Sequence, residues 1–157
     1  MPYTIEAYYA NPQGADSVLL SAAEELDGLV DDLAAAGPED RDALLYLAGV
    51  EVPARELRVE VDGQASVGAL SFTEDTGSTA TWFSHSGHGG GGLTTLYADR
   101  VSRMPFPPDA LLPLDTVRQA LREFRRTGQR PTCVDWQPAG FQLAAAACAL
   151  TWLQVPA

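Results

Sequence analysis

The stretch Glu56-Leu57-Arg58-Val59-Glu60-Val61-Asp62-Gly63-Gln64-Ala65-Ser66-Val67-Gly68-Ala69-Leu70-Ser71-Phe72 decides the fold. Leu57, Val59 and Val61 alternate with Glu56, Arg58 and Glu60, the period of a strand that turns one face to a core. Asp62-Gly63 interrupts the pattern, and a second apolar run, residues 65–72, follows it. Asp-Gly between two such runs predicts a β-hairpin closed by a type I′ turn, whose central residues both need positive φ. Similar short runs at residues 44–48, 80–84 and 93–98 extend the hairpin into an antiparallel meander. Gly77-Ser78 and the glycine run at residues 87–92 separate the later strands.

Working outward, residues 3–9 alternate Tyr3, Ile5, Ala7 and Tyr9 against Thr4, Glu6 and Tyr8, which predicts another half-buried strand. From Asp16 onward Leu19, Ala22, Ala23, Leu26, Leu29, Val30 and Leu33 recur every three or four residues. That spacing predicts a helix with Asp16 or Ser17 as its N-cap and Gly37-Pro38 as its stop. A second helix is expected from about Asp115, with Val117, Ala120, Leu121 and Phe124 on one stripe. Arg125 and Arg126 in its last turn complement the helix dipole, and Gly128 stands where a left-handed C-cap is needed. Residues 132–136 read as a final strand pairing into the same sheet; residues 137–157 are ambiguous, Phe141 to Val155 being Ala-rich enough for a helix yet apolar enough all round to require burial. The fold class expected is α+β: a mainly antiparallel sheet of about five to seven strands with two principal helices packed on it.

The chain has 157 residues and 16.7 kDa, 46% hydrophobic, which suits one domain, 1–157, with a core at 1–136. At this length a chain buries roughly two-thirds of its unfolded surface, so it needs neither disulfides nor a structural metal. Twenty-one acids against ten arginines give a net charge of −11 and a pI near 4.4. That balance argues against direct binding to nucleic acid or to anionic membranes and favours a basic partner. Residues 1–75 hold sixteen acids and three arginines, residues 76–157 five acids and seven arginines. The charge is therefore polarised along the chain. No secretory signal or membrane-crossing run is evident, which predicts a cytoplasmic protein. Cys133 and Cys148 lack metal or redox spacing and are expected to be buried thiols.

Residues 112–136, LPLDTVRQALREFRRTGQRPTCVDW, carry a more specific signal. They resemble the C-terminal signature of the Imm1 family of bacterial immunity proteins, in which a helix ending in a Phe-x-x-Thr-Gly-x-Arg-Pro-like turn runs into a strand closed by Trp. The resemblance implies a small α+β protein, encoded beside a polymorphic toxin, that neutralises the toxin by binding it. The toxins implied include nucleic-acid deaminases and other effectors. The motif residues Leu114, Val117, Phe124, Gly128, Arg130, Pro131 and Trp136 read as structural: core side chains, a helix stop, a turn and a buried anchor. The absence of lysine, with abundant Ala, Arg and Gly, suits a GC-rich bacterial genome.

Residues that could carry chemistry are few. His85 and His88 are the only histidines, and with Ser84 and Ser86 they suggest a small enzyme as an alternative. The cysteines lie too far off in sequence to complete a zinc motif, and neither a Gly-x-Ser-x-Gly elbow nor a Gly-Lys-Ser/Thr phosphate loop is present. No catalytic residue, metal or cofactor is therefore expected. A ligand-binding or scaffolding module without a toxin is the other alternative. For a toxin interface the candidates are the carboxylates Asp27, Asp31, Asp32, Glu60, Asp62, Glu74 and Asp75, which would steer a basic active-site groove. Tyr8, Trp82 and Phe83 are the candidate anchors, with His88 in the glycine loop. A homodimer is also compatible with the sequence.

Overall fold

The computed structural model describes residues 2–50, 53–86 and 94–139. The expected hairpin forms the centre of the sheet: β4 (Arg55–Asp62) pairs along its whole length with β5 (Val67–Asp75), Leu57 facing Phe72 and Val59 facing Leu70. β3 (Asp42–Leu47) flanks β4, and β6 (Thr79–His85) flanks β5. β1 (Ile5–Tyr8) pairs β3, β2 (Val18–Leu20) pairs β1, and β10 (Asp135–Pro138) closes the other side against β6. The order is β10-β6-β5-β4-β3-β1-β2, all antiparallel, with β9 (Leu112–Pro113) paired beside the start of β5. This is an α+β architecture, with two α-helices among the described residues, α1 (Ala23–Ala35) and α2 (Leu114–Thr127).

Both helices lie on one face of the sheet. Leu26, Leu29, Val30 and Leu33 of α1 meet Val117, Ala120, Leu121 and Phe124 of α2, and both stripes cover Ile5, Leu45, Leu57, Val59, Leu70 and Phe72. Phe72 lies at the centre of an aromatic group, 6.1 Å from Phe124, 6.2 Å from Trp136 and 6.3 Å from Trp82. The opposite face is covered at one end by the chain between Thr94 and Leu111, which contributes β7 (Tyr97–Asp99), β8 (Met104–Pro105) and a 3-10 turn at Pro108–Ala110. Phe83 is buried there against Phe106, ring centroids 5.2 Å apart, and is not the surface anchor its sequence context suggested.

Several local expectations change. α1 starts at Ala23 and not near Asp16, because Val18–Leu20 is drawn into β2 against β1. Neither Asp16 nor Ser17 caps the helix: the Ser17 hydroxyl donates to Glu6, and Glu25 reaches back to accept from the Ser21 N–H at 3.0 Å. The first helix stops just before Gly37 as expected. α2 carries its expected cap, with Gly128 left-handed at φ 67° and its N–H donating to the Phe124 carbonyl. The final strand starts at Asp135 and not Thr132, because Glu123 claims the Thr132 and Cys133 N–H groups before the ladder begins.

The hairpin is real, but its turn is not type I′. Four residues, 63–66, join Asp62 to its partner Val67, and Ser66 takes the left-handed conformation at φ 54°. Asp62 Oδ1 accepts from the N–H groups of Gln64 and Ala65, which holds the loop. Gly63 is there for close approach: a Cβ at this position would lie 2.0 Å from the carbonyl oxygen of Ala34 at the end of α1. Backbone cannot yield as a flexible side chain can. Gly63→Ala should therefore destabilise the protein by about 2 kcal/mol in urea titration, through separation of α1 from the hairpin.

Candidate functional site

The surface candidates fall into separate places. On α1, Asp27 accepts from Arg122 at 2.6 Å, and Asp31 accepts from Arg118 at 2.6 Å. These pairs tie α1 to α2, so the two carboxylates hold the helices together as well as face solvent. Asp32 accepts from the Tyr9 hydroxyl at 3.3 Å. Glu74 pairs with Arg55 at 2.9 Å near the far end of β4 and β5, and Asp75 beside it is exposed. The arginines of the second half of the chain thus lie against several acids of the first.

Glu60 is not a surface residue. Its side chain is 0% exposed, accepts from the Tyr97 N–H at 2.8 Å and from Arg100 Nε at 2.8 Å, and has Arg41 nearby. Burial pushes its pKa up, and the Tyr97 N–H, Arg100 and Arg41 pull against that rise. It pins the segment that crosses this face and is not the toxin contact its sequence context suggests. Asp62 accepts from the Thr94 hydroxyl at 2.6 Å and from its own turn, and the Thr94 bond is the main cause of its lowered pKa.

The motif residues build a second region. Val117 and Phe124 are buried, Leu114 packs against the core, and Pro131 is buried beside the turn. Trp136 Nε1 donates to the Pro131 carbonyl at 2.7 Å, and the Arg130 guanidinium lies over the Trp82 ring at 4.3 Å. Between them runs an open cleft of about 720 Å³ lined by Trp82, Gln129, Arg130, Asp135 and Trp136, among others. Trp82 belongs to the helix-bearing face, half-buried against Phe72 beneath Arg130, and is less free than a solvent-side anchor. Glu123, under the turn, is desolvated, yet the hydrogen bonds from Thr132 and Cys133 outweigh that and lower its pKa. Cys133 is exposed and not buried, and partial desolvation and the neighbouring Glu123 raise its thiol pKa, disfavouring the reactive thiolate. Cys148 lies outside the described residues.

The third region was only partly expected. On the helix-free face, β-register aligns Leu19, Glu6 and Tyr46 in one row and Tyr8 with Leu44 in the next. Tyr8 is 42% exposed, Leu19 59% and Val50 46%. Tyr8 and Tyr46 meet edge to face at 5.7 Å, and the Tyr46 hydroxyl donates to Glu56 at 2.6 Å. Burial and that carboxylate raise the Tyr46 pKa, so it remains a neutral donor. A depression of about 400 Å³ lies between Tyr8, Leu44, Tyr46, Val50 and Pro53. Leu44 and Tyr46 belong to a run legible as a strand but not as part of a patch, and Leu19 is concealed by the helical spacing into which it falls.

His85 Nε2 lies 3.2 Å from Asp109 Oδ2, and Asp109 Oδ1 accepts from Gln137 at 3.0 Å. Ser84 is buried, accepting from the Leu70 N–H and donating to the Ala110 carbonyl, so its hydroxyl is held in place by structural bonds. His88 and the glycine run lie outside the described residues. Among the described residues no cluster of three or more His, Cys, Asp or Glu side chains could hold a metal ion. No helix among them is long and apolar enough to cross a membrane.

These features define an acidic α+β protein whose aromatic patches and carboxylates suit contact with another protein. The family model for the immunity protein Imm1 matches residues 14–138, from just before β2 to the end of β10. The chain belongs to the Imm1 immunity protein family, and that membership implies a cognate toxin as its partner. No curated protein matches the sequence.

Proposed function

We propose that this chain neutralises a cognate bacterial polymorphic toxin by binding the toxin domain and covering its active site or substrate channel, and that it transforms no substrate itself. The observation that carries the reading is the Imm1 match over residues 14–138. The net charge of −11 supports a toxin with a basic groove, as a nucleic-acid deaminase or nuclease would have. Charge of this kind raises the association rate more than it deepens affinity. The chain acts in the compartment where the toxin would harm its own producer, the cytoplasm.

The test is purification of the chain with the toxin domain encoded beside its gene, followed by assay of the toxin. One equivalent of chain should abolish toxin activity. Association should slow as salt rises, because the Debye length shortens from about 30 Å at 0.01 M to about 8 Å at 0.15 M. An on-rate insensitive to salt would remove the steering role. The His85–Asp109 pair keeps the enzyme alternative worth one variant: His85→Ala should protect as fully as wild type. Protection lost while toxin binding is retained would instead favour catalysis.

A further inference from the structure

The sheet is covered unevenly. α1 and α2 cover one face, and residues 94–111 cover the β5–β6 end of the other, where Phe83 and Ala69 are buried. Among the described residues no helix covers the β2-β1-β3 end of that second face, and apart from Glu6 it presents Leu19, Tyr8, Leu44, Tyr46 and Val50. Tyr8, Leu19 and Val50 are exposed around the half-buried Leu44 and Tyr46; apolar side chains gathered on one face in this way mark contact surfaces, and tyrosine is among the residue types that dominate binding energy.

The charges around the patch indicate what covers it. Glu6 stands in the row between Leu19 and Tyr46, and Glu56 holds the Tyr46 hydroxyl at the edge. Among the described residues none that lines the depression is basic. Arg58, opposite Leu44 on β4, is paired with Asp42 at 3.2 Å. A second copy of this chain would set Glu6 and Glu56 against the same carboxylates, between two bodies of charge −11 each. A partner with apolar side chains ringed by Arg or Lys meets no such repulsion.

Resting on the reading above, we propose that the toxin docks on this helix-free face. It presents an apolar side chain to the depression between Tyr8, Tyr46 and Val50 and basic side chains to Glu6 and Glu56. Tyr8 and Leu19 are the anchors, since both project from short strands whose backbone is fixed by pairing. The region is separate from the Trp82–Arg130 cleft, which lies on β6, β10 and the turn after α2.

The experiment measures affinity of the purified chain for the toxin domain encoded beside its gene, with Tyr8→Ala, Leu19→Arg and Arg130→Ala variants. Unchanged melting temperatures of the first two establish that they fold. Each of these two should bind about thirtyfold more weakly than wild type, and Arg130→Ala should bind within about twofold. Wild-type affinity in both Tyr8→Ala and Leu19→Arg overturns the proposal and leaves neutralisation by another face standing. No binding by the wild-type chain overturns neutralisation and this proposal together. A dimer of the chain alone that Leu19→Arg converts to monomer also overturns it, and assigns the face to self-association.

Discussion

Phe72→Ala should remove about 4 kcal/mol of stability. Phe72 is 1% exposed and stands where three layers of aromatic side chain meet: Phe124 from α2, Trp82 from β6 and Trp136 from β10. Removing its ring opens a void that these neighbours cannot fill, because each is held independently. Phe124 is fixed by its helix, Trp136 by its bond to the Pro131 carbonyl and Trp82 by the guanidinium above it. A loss of this size is a large fraction of the roughly 5–15 kcal/mol that holds a domain folded. Urea titration measures it as a lower midpoint with unchanged slope. A cost below about 1 kcal/mol would show that the aromatic group collapses around the gap.

Glu60→Ala should cost about 3 kcal/mol, for a different reason. The carboxylate is fully buried and answers the Tyr97 N–H and Arg100. Its removal leaves the Tyr97 N–H and Arg100 Nε without their hydrogen-bond acceptor, while the Thr94–Asp62 bond still ties the segment bearing β7 to β4. Glu60→Gln keeps an oxygen for the Tyr97 N–H and should cost less, although it abandons the charge. Burial raises the Glu60 pKa while the Tyr97 N–H, Arg100 and Arg41 pull against that rise, and the expected loss comes from orphaned donors. Amide hydrogen exchange at Tyr97 should accelerate in the alanine variant. Equal costs for alanine and glutamine would assign the effect to packing alone.

The meander from β3 to β6, both helices and the left-handed Gly128 were legible because each is written locally, in alternation, in 3.6-residue spacing or in a single cap. The run at 93–98 does not extend the meander, since β7 pairs β8 in a separate two-stranded sheet. β2 was not, since Leu19, Ala22 and Ala23 continue the rhythm of α1, and only pairing with β1 decides that Val18–Leu20 is extended. Glu60 was misread for a related reason. Alternation places it correctly on the face opposite Val59 and Val61, but nothing in β4 announces that residues 94–111 return to bury that face. Phe83 entered the core by the same route. The motif residues were placed well as scaffold, yet the cleft they line with Trp82 depends on β10 lying beside β6, a long-range arrangement. The Tyr8 patch was visible only as one tyrosine, because its other members come from β2, β3 and the turn after β3.

The strand order carries a consequence for how the chain comes together as it leaves the ribosome. β3 to β6 are joined by successive hairpins and can pair as soon as each is synthesised, whereas β10 must find β6 across some fifty residues, as Trp136 opposite Ser84 shows. Until then the outer backbone of β6 remains open to neighbouring chains. The growing chain thus passes through an adhesive intermediate, and synthesis of residues 86–138 governs how long that exposure lasts.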